Sequence, residues 1–454
     1  MFFLEQCHGQ GGWSQDIFGP MERRSGLWIA STPLRPWGVQ GRPVTNRKSE
    51  VNLRFEGGMF QLWEGFGGGV SEQGWDALAL LKGAGRLRAL HALFNHEEGC
   101  RFHYARTPLG VSGAARSAYP QPDPLGDRAR KSFSMTRDQE ALIPFLRIPL
   151  DRIRKFKTVA CPWSPPDWMK ESAGGGCGRI RWEPGNLEAY ALYLARYIQG
   201  YRKAGILIDH LLIQNNPADP LGRPGCYWTG AQLRDFIRDY AGPVMERQKI
   251  PVRLWLGALD SPDYADYALT VLSDPMALQF IAGVACQQGG QQTLPRIRRA
   301  FPDIRLMHSD CGAGDGTNTW AQGQATFATI QQAITAGVEV CLHDNLVLPA
   351  GGKTLTGRSL NSLISVNEAE LTFVLNPDYY VMRHFSCLVD RYAVRLGLAG
   401  EWADRAVAFY NEDDESRVLV IHNPDPEFRR VVLEDGDRRL AMTLQPDSFN
   451  TMVL

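Results

Sequence analysis

The chain has 454 residues, 44% of them apolar, and its 49 basic and 49 acidic side chains cancel. That length accommodates one large barrel with a small appended domain, and the balanced charge argues against a nucleic-acid or anionic-membrane partner. The opening "MFFLEQCHGQGGW" has no basic segment ahead of a long apolar core, and no apolar run is long enough to span a bilayer, so neither a signal peptide nor a membrane span is expected. Nine cysteines are scattered at 7, 100, 161, 177, 226, 286, 311, 341 and 387 without Cys-x-x-Cys spacing, which points to reduced thiols and a cytoplasmic setting.

In chain order, "GLWIASTPLRPW" and "VNLRFEG" read as β structure. "FQLWEGFGG" then reads as a strand and "SEQGWDALALL" as a helix. "RFHYARTPLG" and "KFKTVACPWSPP" follow as strands, the second closed by prolines. "NLEAYALYLARYIQGYRKAG" has helical period, with Leu187, Tyr190, Leu194, Tyr197 and Ile198 on one face. "ILIDHLLIQNNP", "VRLWLGALD", "FIAGVACQQGG", "DIRLMHSDCG" and "VEVCLHDN" complete eight strand–helix units between about Phe60 and Asp390, the pattern of a (β/α)8 TIM barrel. After Tyr392 apolar and polar residues alternate between turn signals, as in an antiparallel β-sandwich. The expected division is residues 1–56 as N-terminal strands contributing to the sandwich, 57–392 as the barrel and 393–454 as the C-terminal sandwich.

Barrel sites are built from the carboxyl ends of the strands. That rule selects Arg106 and Ser112-Gly113 on strand two, Cys161-Pro162-Trp163 on strand three and Asn215-Asn216 on strand four. On the other side it selects Cys286-Gln287-Gln288 on strand six, Asp310 on strand seven and His343-Asp344-Asn345 on strand eight. The residues alone therefore predict a polar pocket with two carboxylates and one imidazole, walled by Trp163.

"GFGGGVSEQGWDAL", "RTPLG", "CPWSPPDWMK", "CYWTGAQLRDFIRDYAGP", "GDGTNTW", "NSLISVN", "NPDYYVMRHFS" and "LQPDSFNTMVL" occur in the order of one known group. On these motifs the chain resembles the family-30 glycoside hydrolases, which include glucosylceramidases and related bacterial β-glycosidases. The resemblance implies a barrel with a flanking β-sandwich and a small glycoside or sugar-like ligand. It also implies two catalytic glutamates: an acid/base after the Asn of an Asn-Glu-Pro motif on strand four, and a nucleophile ending strand seven. Retention with such a pair needs the carboxyls about 5–5.5 Å apart.

On that correspondence the two positions are Asn216 and Asp310, and an amide cannot deliver a proton at neutral pH. Other expected groups differ as well. Ser112-Gly113 stands where the family carries Asn-Asp, Gln287-Gln288 for Gln-Trp, His343-Asp344-Asn345 for Tyr-Trp-Asn, and Thr356-Gly357-Arg358 for Trp-Gly-Trp. The frame of Arg106, Trp163, Asn215 and Asn345 remains.

The expectation is a carbohydrate-active barrel with a non-standard site. Asp310 serves as base or shortened nucleophile, Asp344 or His343 supplies the proton, and Asn216 orients substrate or water. Arg106, Trp163, Asn215, Gln287, Gln288, Asn345 and Arg358 position the ligand. No metal or cofactor is expected, although His308 and Asp310 share a strand face and with His343 and Asp344 form an alternative metal set. Two further readings stay open: a non-hydrolytic biosynthetic enzyme using this polar mouth, and an inactive ligand-binding pseudoglycosidase. The glycines at 65–69 read as a tight strand exit rather than a phosphate loop, and the thiols near the mouth as packing residues.

Overall fold

The computed structural model describes residues 25–45, 49–117, 133–171, 177–218, 224–312 and 314–454. The N-terminal stretch over which no leader is expected, including Cys7, lies outside them. The barrel is closed by eight parallel strands: β1 (Gly65–Gly69), β2 (Tyr104–Leu109), β3 (Lys157–Pro162), β4 (His210–Leu212), β5 (Arg253–Leu259), β6 (Ile281–Gln287), β7 (Arg305–Asp310) and β8 (Val340–His343). β8 pairs back onto β1 with His343 opposite Gly68, which closes the ring. Inside it Tyr104, Val159, Leu212, Trp255, Met307 and Leu342 pack into a dry plug. Below the mouth the barrel is therefore a filled core, and ligand access is confined to the strand ends.

The helices cover the barrel with the faces their periodicity predicts. The helix Pro184–Lys203 buries all five residues expected on its apolar face, Leu187, Tyr190, Leu194, Tyr197 and Ile198. The helix Glu72–Leu80 starts where Ser71 caps it, the Ser71 hydroxyl accepting from the Gly74 N–H at 3.1 Å. The glycine run of β1 is required by close approach. A Cβ at Gly67 would fall 2.0 Å from the Tyr104 carbonyl oxygen, and one at Gly69 1.9 Å from that of Asp344. These glycines let β1 lie against its neighbours and hold no phosphate-loop geometry.

Among the described residues the flanking domain is one ten-stranded sheet drawn from both chain ends. Trp28–Ser31 pairs antiparallel with Ser448–Val453, and Leu53–Leu62 with Val394–Ala399. The single parallel junction joins Leu53–Leu62 to Arg429–Asp435. Trp28, Leu419 and Met452 from one part of this sheet share a core with Leu433, Leu440 and Met442 from the other. The expected two-layered β packing is thus made by one sheet bending over itself. The bend follows register shifts between Val394–Ala399 and the long strand carrying Gly57 and Gly58, since an extra residue on one strand bends and twists it.

Two expected elements change shape. "FQLWEGFGG" is not one strand: its first residues finish Leu53–Leu62 in the flanking sheet, and β1 begins only at Gly65 after a break at Trp63-Glu64. Both halves are apolar enough to read as one run, but Phe60 and Leu62 stay exposed on the flanking sheet while Trp63 and Phe66 are buried in the barrel's core. Strand four is only three residues long, because the polar Gln214-Asn215-Asn216 segment bonds to several different neighbours instead of extending the ladder. Among the described residues no helix is long and apolar enough to cross a membrane.

Candidate active site at the barrel mouth

A cavity of about 440 Å³ opens at the carboxyl ends of the barrel strands. Arg106, Cys161, Trp163, Asp260, Gln287, Gln288, Asp310, Asp344, Asn345 and Arg358 all face it. Six of the residues expected to position the ligand, Arg106, Trp163, Gln287, Gln288, Asn345 and Arg358, are brought together in this way, along with Asp310 and Asp344. Asn215, Asn216 and His343 are buried but do not line it.

Arg106, on β2, is the electrostatic centre. One guanidinium nitrogen donates to Asp344 Oδ1 at 2.7 Å, while its other terminal nitrogen, Nη1, is buried without a hydrogen-bond partner. Burial opposes the Arg106 charge, yet the nearby Asp344 and Asp310 carboxylates hold it more firmly protonated than an ordinary arginine. Asp344 is fixed from its other side by the Asn345 amide, at 2.9 Å, which also donates to the Asn361 carbonyl at 3.1 Å.

Asp310 ends β7 opposite Gln287 of β6, at a register shift between the two strands. It is 6% exposed, and its Oδ1 has no hydrogen-bond donor. Burial, and then the negative Asp344 and Asp260, push its carboxyl up to about 7, against the pull of Arg106 and His343. Near neutral pH this one carboxyl is poised between protonated and ionised forms. Its carboxylate neighbour is already committed to an ion pair. Asp310 Oδ1, Arg106 Nη1 and Asn361 Nδ2, all buried without a hydrogen-bond partner, belong to side chains that face the same cavity, the arrangement expected where a polar ligand completes the bonding.

His343 occupies a structural position. Its Nε2 lies 2.9 Å from Asp378 Oδ2 on the helix Pro377–Ser386, and its Nδ1 lies 3.1 Å from the Asn345 carbonyl oxygen. Burial opposes its charge, but the Asp378 hydrogen bond and the surrounding carboxylates raise its affinity for a proton overall. Gly312, which does line the cavity, lies against the imidazole: a Cβ there would fall 1.9 Å from Nε2. With both ring nitrogens engaged away from the cavity, His343 is not placed to protonate a substrate. The signal lay in Asp378, too far along the chain for local spacing to connect the two.

The strand-four amides form a scaffold. Gln214 donates to the Trp163 carbonyl at 2.7 Å, and Gln287 donates to Asn215 Oδ1 at 2.8 Å. Asn216 takes a left-handed backbone at φ +43° and donates its N–H to the Ala258 carbonyl at 2.9 Å. Asparagine is among the few non-glycine residues that adopt this conformation readily. The alternative His/Asp metal set is not assembled. His308 bonds Gln291 at 3.0 Å and is driven down to about 3 by burial and Arg106, and no His, Cys, Asp or Glu group among the described residues converges on one metal position.

Asp260 was not anticipated. It follows β5 in "LGALDSP", lines the cavity, accepts from the Gly289 N–H at 2.6 Å and contributes to the upward push on Asp310. The strand-end rule that picked out Asp310 also picks out this position, one residue past the last residue of β5. The mouth therefore holds three aspartates, on strands five, seven and eight.

The model of the glycosyl hydrolase family 30 TIM-barrel domain matches residues 63–389. The chain is 26% identical over 412 residues to the lysosomal acid glucosylceramidase of Mus musculus, covering 85% of this chain and 80% of that protein. It is 27% identical over 418 residues to an endo-1,6-beta-D-glucanase of Neurospora crassa, covering 87% and 85%. The solved structure of SrfJ from Salmonella typhimurium superposes with a TM-score of 0.84 at 22% identity, over 94% of this chain and 99% of that one. With the barrel, the polar mouth and a family match that runs through all eight strands, the chain belongs to glycosyl hydrolase family 30.

Proposed function

We propose that the protein acts on a glycoside or sugar-like small molecule at the barrel mouth through aspartates, with Asn216 and Asp310 standing at the positions of the family's two catalytic glutamates. Asp310 is the proton-exchanging group, acting as general base toward water or an acceptor hydroxyl. The observation that carries this reading is the split between neighbouring carboxyls: Asp310 is pushed up to about 7 and its Oδ1 is unbonded, while Asp344 is held by Arg106. A buried carboxyl raised toward the working pH marks an acid/base candidate, and a base near the working pH combines availability with strength. Arg106 and Asn345 hold Asp344, and Trp163 and Arg358 supply a wall and a positive edge for the ligand. Asp260, bonded at the mouth by Gly289, is the remaining carboxyl able to face the leaving group.

The two relatives above are named a glucosylceramidase and an endo-1,6-beta-D-glucanase, so glucosides are the first class to test. With an amide in place of the glutamic acid, leaving groups that need a proton should suffer most, since general-acid help is worth roughly 10²–10⁴-fold. The test is kcat/KM for dinitrophenyl and methyl glucosides across pH. Turnover confined to the activated aryl substrate, rising through about pH 7 and lost in Asp310→Asn, supports the reading. Equal turnover of both substrates, at the rate of a two-glutamate relative, contradicts it.

A further inference from the structure

A second cavity, of about 690 Å³, lies at the opposite end of the barrel, where the chain enters β2 and β3. It is bounded by the helix Ala84–Phe94, by Arg101 to His103 just ahead of β2, and by Ile148 to Arg154 at the end of the helix Ile143–Leu150. Its volume is in the range of sites that hold a single small molecule.

The lining has two characters. Phe94 and Phe102 are buried at its inner side, and Leu87, Leu90, Ile148 and Ile153 extend the apolar wall outward, with Leu87 62% exposed. Around them stand Arg88, Arg101, Arg152, Arg154 and the imidazoles of His91, His96 and His103, and no Asp or Glu is among the lining residues. Arg101 is oriented by its bond to the Cys387 carbonyl at 2.9 Å and its ion pair with Asp390 at 3.1 Å. Arg88 and Arg154, by contrast, make no ion pair among the described residues. The His103 ring has no hydrogen-bond partner among the described residues; burial, then Arg101 and Arg391, hold it down at about 4, so near neutral pH it is an uncharged donor or acceptor.

Arg101 is compensated by Asp390, but Arg88 and Arg154 leave positive charge at the rim, and an oxyanion that each can grip by two parallel hydrogen bonds would neutralise it. The apolar wall beside them selects an anion with a hydrocarbon portion. We propose that this cleft binds a single soluble amphiphile, a phosphate monoester carrying an apolar tail, with Arg88 and Arg154 closing on the phosphate and the tail lying against Leu87, Leu90, Phe94 and Phe102. The concave shape and buried aromatic floor fit one molecule rather than a flat bilayer. The site is separate from the barrel mouth, and its binding is independent of whether the mouth hydrolyses glycosides.

The experiment is calorimetric titration of the full chain with octyl phosphate below its micelle concentration, with inorganic phosphate and octanol as half-ligands. The expected result is one octyl phosphate per chain, bound about tenfold or more tighter than either half-ligand and weakened by salt. The variant Arg88→Ser/Arg154→Ser, both at exposed positions, should weaken it by about tenfold while keeping the wild-type melting temperature. Leu87→Ser should weaken octyl phosphate but leave inorganic phosphate unchanged. Unchanged binding in the arginine variant, or octanol binding as tightly as octyl phosphate, overturns the proposal. Arginine-dependent binding to phosphatidic acid vesicles without binding of the monomeric ester overturns it in favour of a membrane surface.

Discussion

The two sides of the barrel mouth solve the problem of a buried polar rim differently. At strand four, Gln214 and Asn215, with Gln287 reaching across from strand six, pair amide to carbonyl, and every bond so formed is neutral. On strands five, seven and eight the rim carries Asp260, Asp310 and Asp344 against one buried arginine. Neutral amides can be satisfied locally and kept rigid at little electrostatic cost. Asp310 and Asp344 share one guanidinium and Asp260 adds further negative charge near Asp310, so burial and these neighbours leave Asp310 holding a proton near neutrality. The reactive potential of the site therefore lies on the carboxylate side, and the amide side supplies shape.

The largest expected effect is on that carboxylate side. Asp310→Asn keeps the volume and removes the titrating group; loss of turnover by roughly 10²–10⁴-fold, with folding retained by circular dichroism, is expected for a proton-exchanging residue. Next comes Arg106→Met. It leaves Asp344 and Asp310 facing each other without the cation between them, and breaking a buried pair costs about 3–5 kcal/mol, read as a fall in the urea midpoint at unchanged slope. His343→Ala sharpens the distinction between structure and chemistry. It strips Asp378 of its imidazole and should cost about 1–3 kcal/mol of stability while leaving the pH profile of any turnover in place. A shift of the profile would return His343 to the catalytic set.

The smallest expected effect is a slope. The Asp310 carboxyl binds its proton up to about pH 7 in the folded protein, and in the unfolded chain only up to about 4. Between those values the native state binds more protons than the unfolded state. Asp310's contribution to stability is thus full below about pH 4 and is lost as pH rises through about 7. Urea unfolding of wild type and Asp310→Asn at pH 4.5 and 8 should show the variant gaining on wild type at the higher pH.

Much of this was legible in the residues because it depends on short-range pattern. The strand–helix alternation, the Ser71 cap and the buried face of Pro184–Lys203 follow from local periodicity. The strand-end rule brought Arg106, Trp163, Asp310 and Asp344 to one cavity. What escaped was decided by distant partners. The His343 bond to Asp378, the Gln287 bond to Asn215 and the break that divides "FQLWEGFGG" between the flanking sheet and the barrel depend on contacts that local spacing does not encode. Asp260 was reachable by the same rule as the other strand-end residues, but "LGALDSP" reads more readily as a turn than as a rim position.

The most direct test of the central claim needs no substrate. Carbon-13 NMR titration of the aspartate carboxyls, with Asp310→Asn used to assign the resonance, should show one carboxyl titrating near pH 7 that is missing from the variant. An Asp310 resonance that titrates near 4, like an ordinary surface aspartate, would contradict the account.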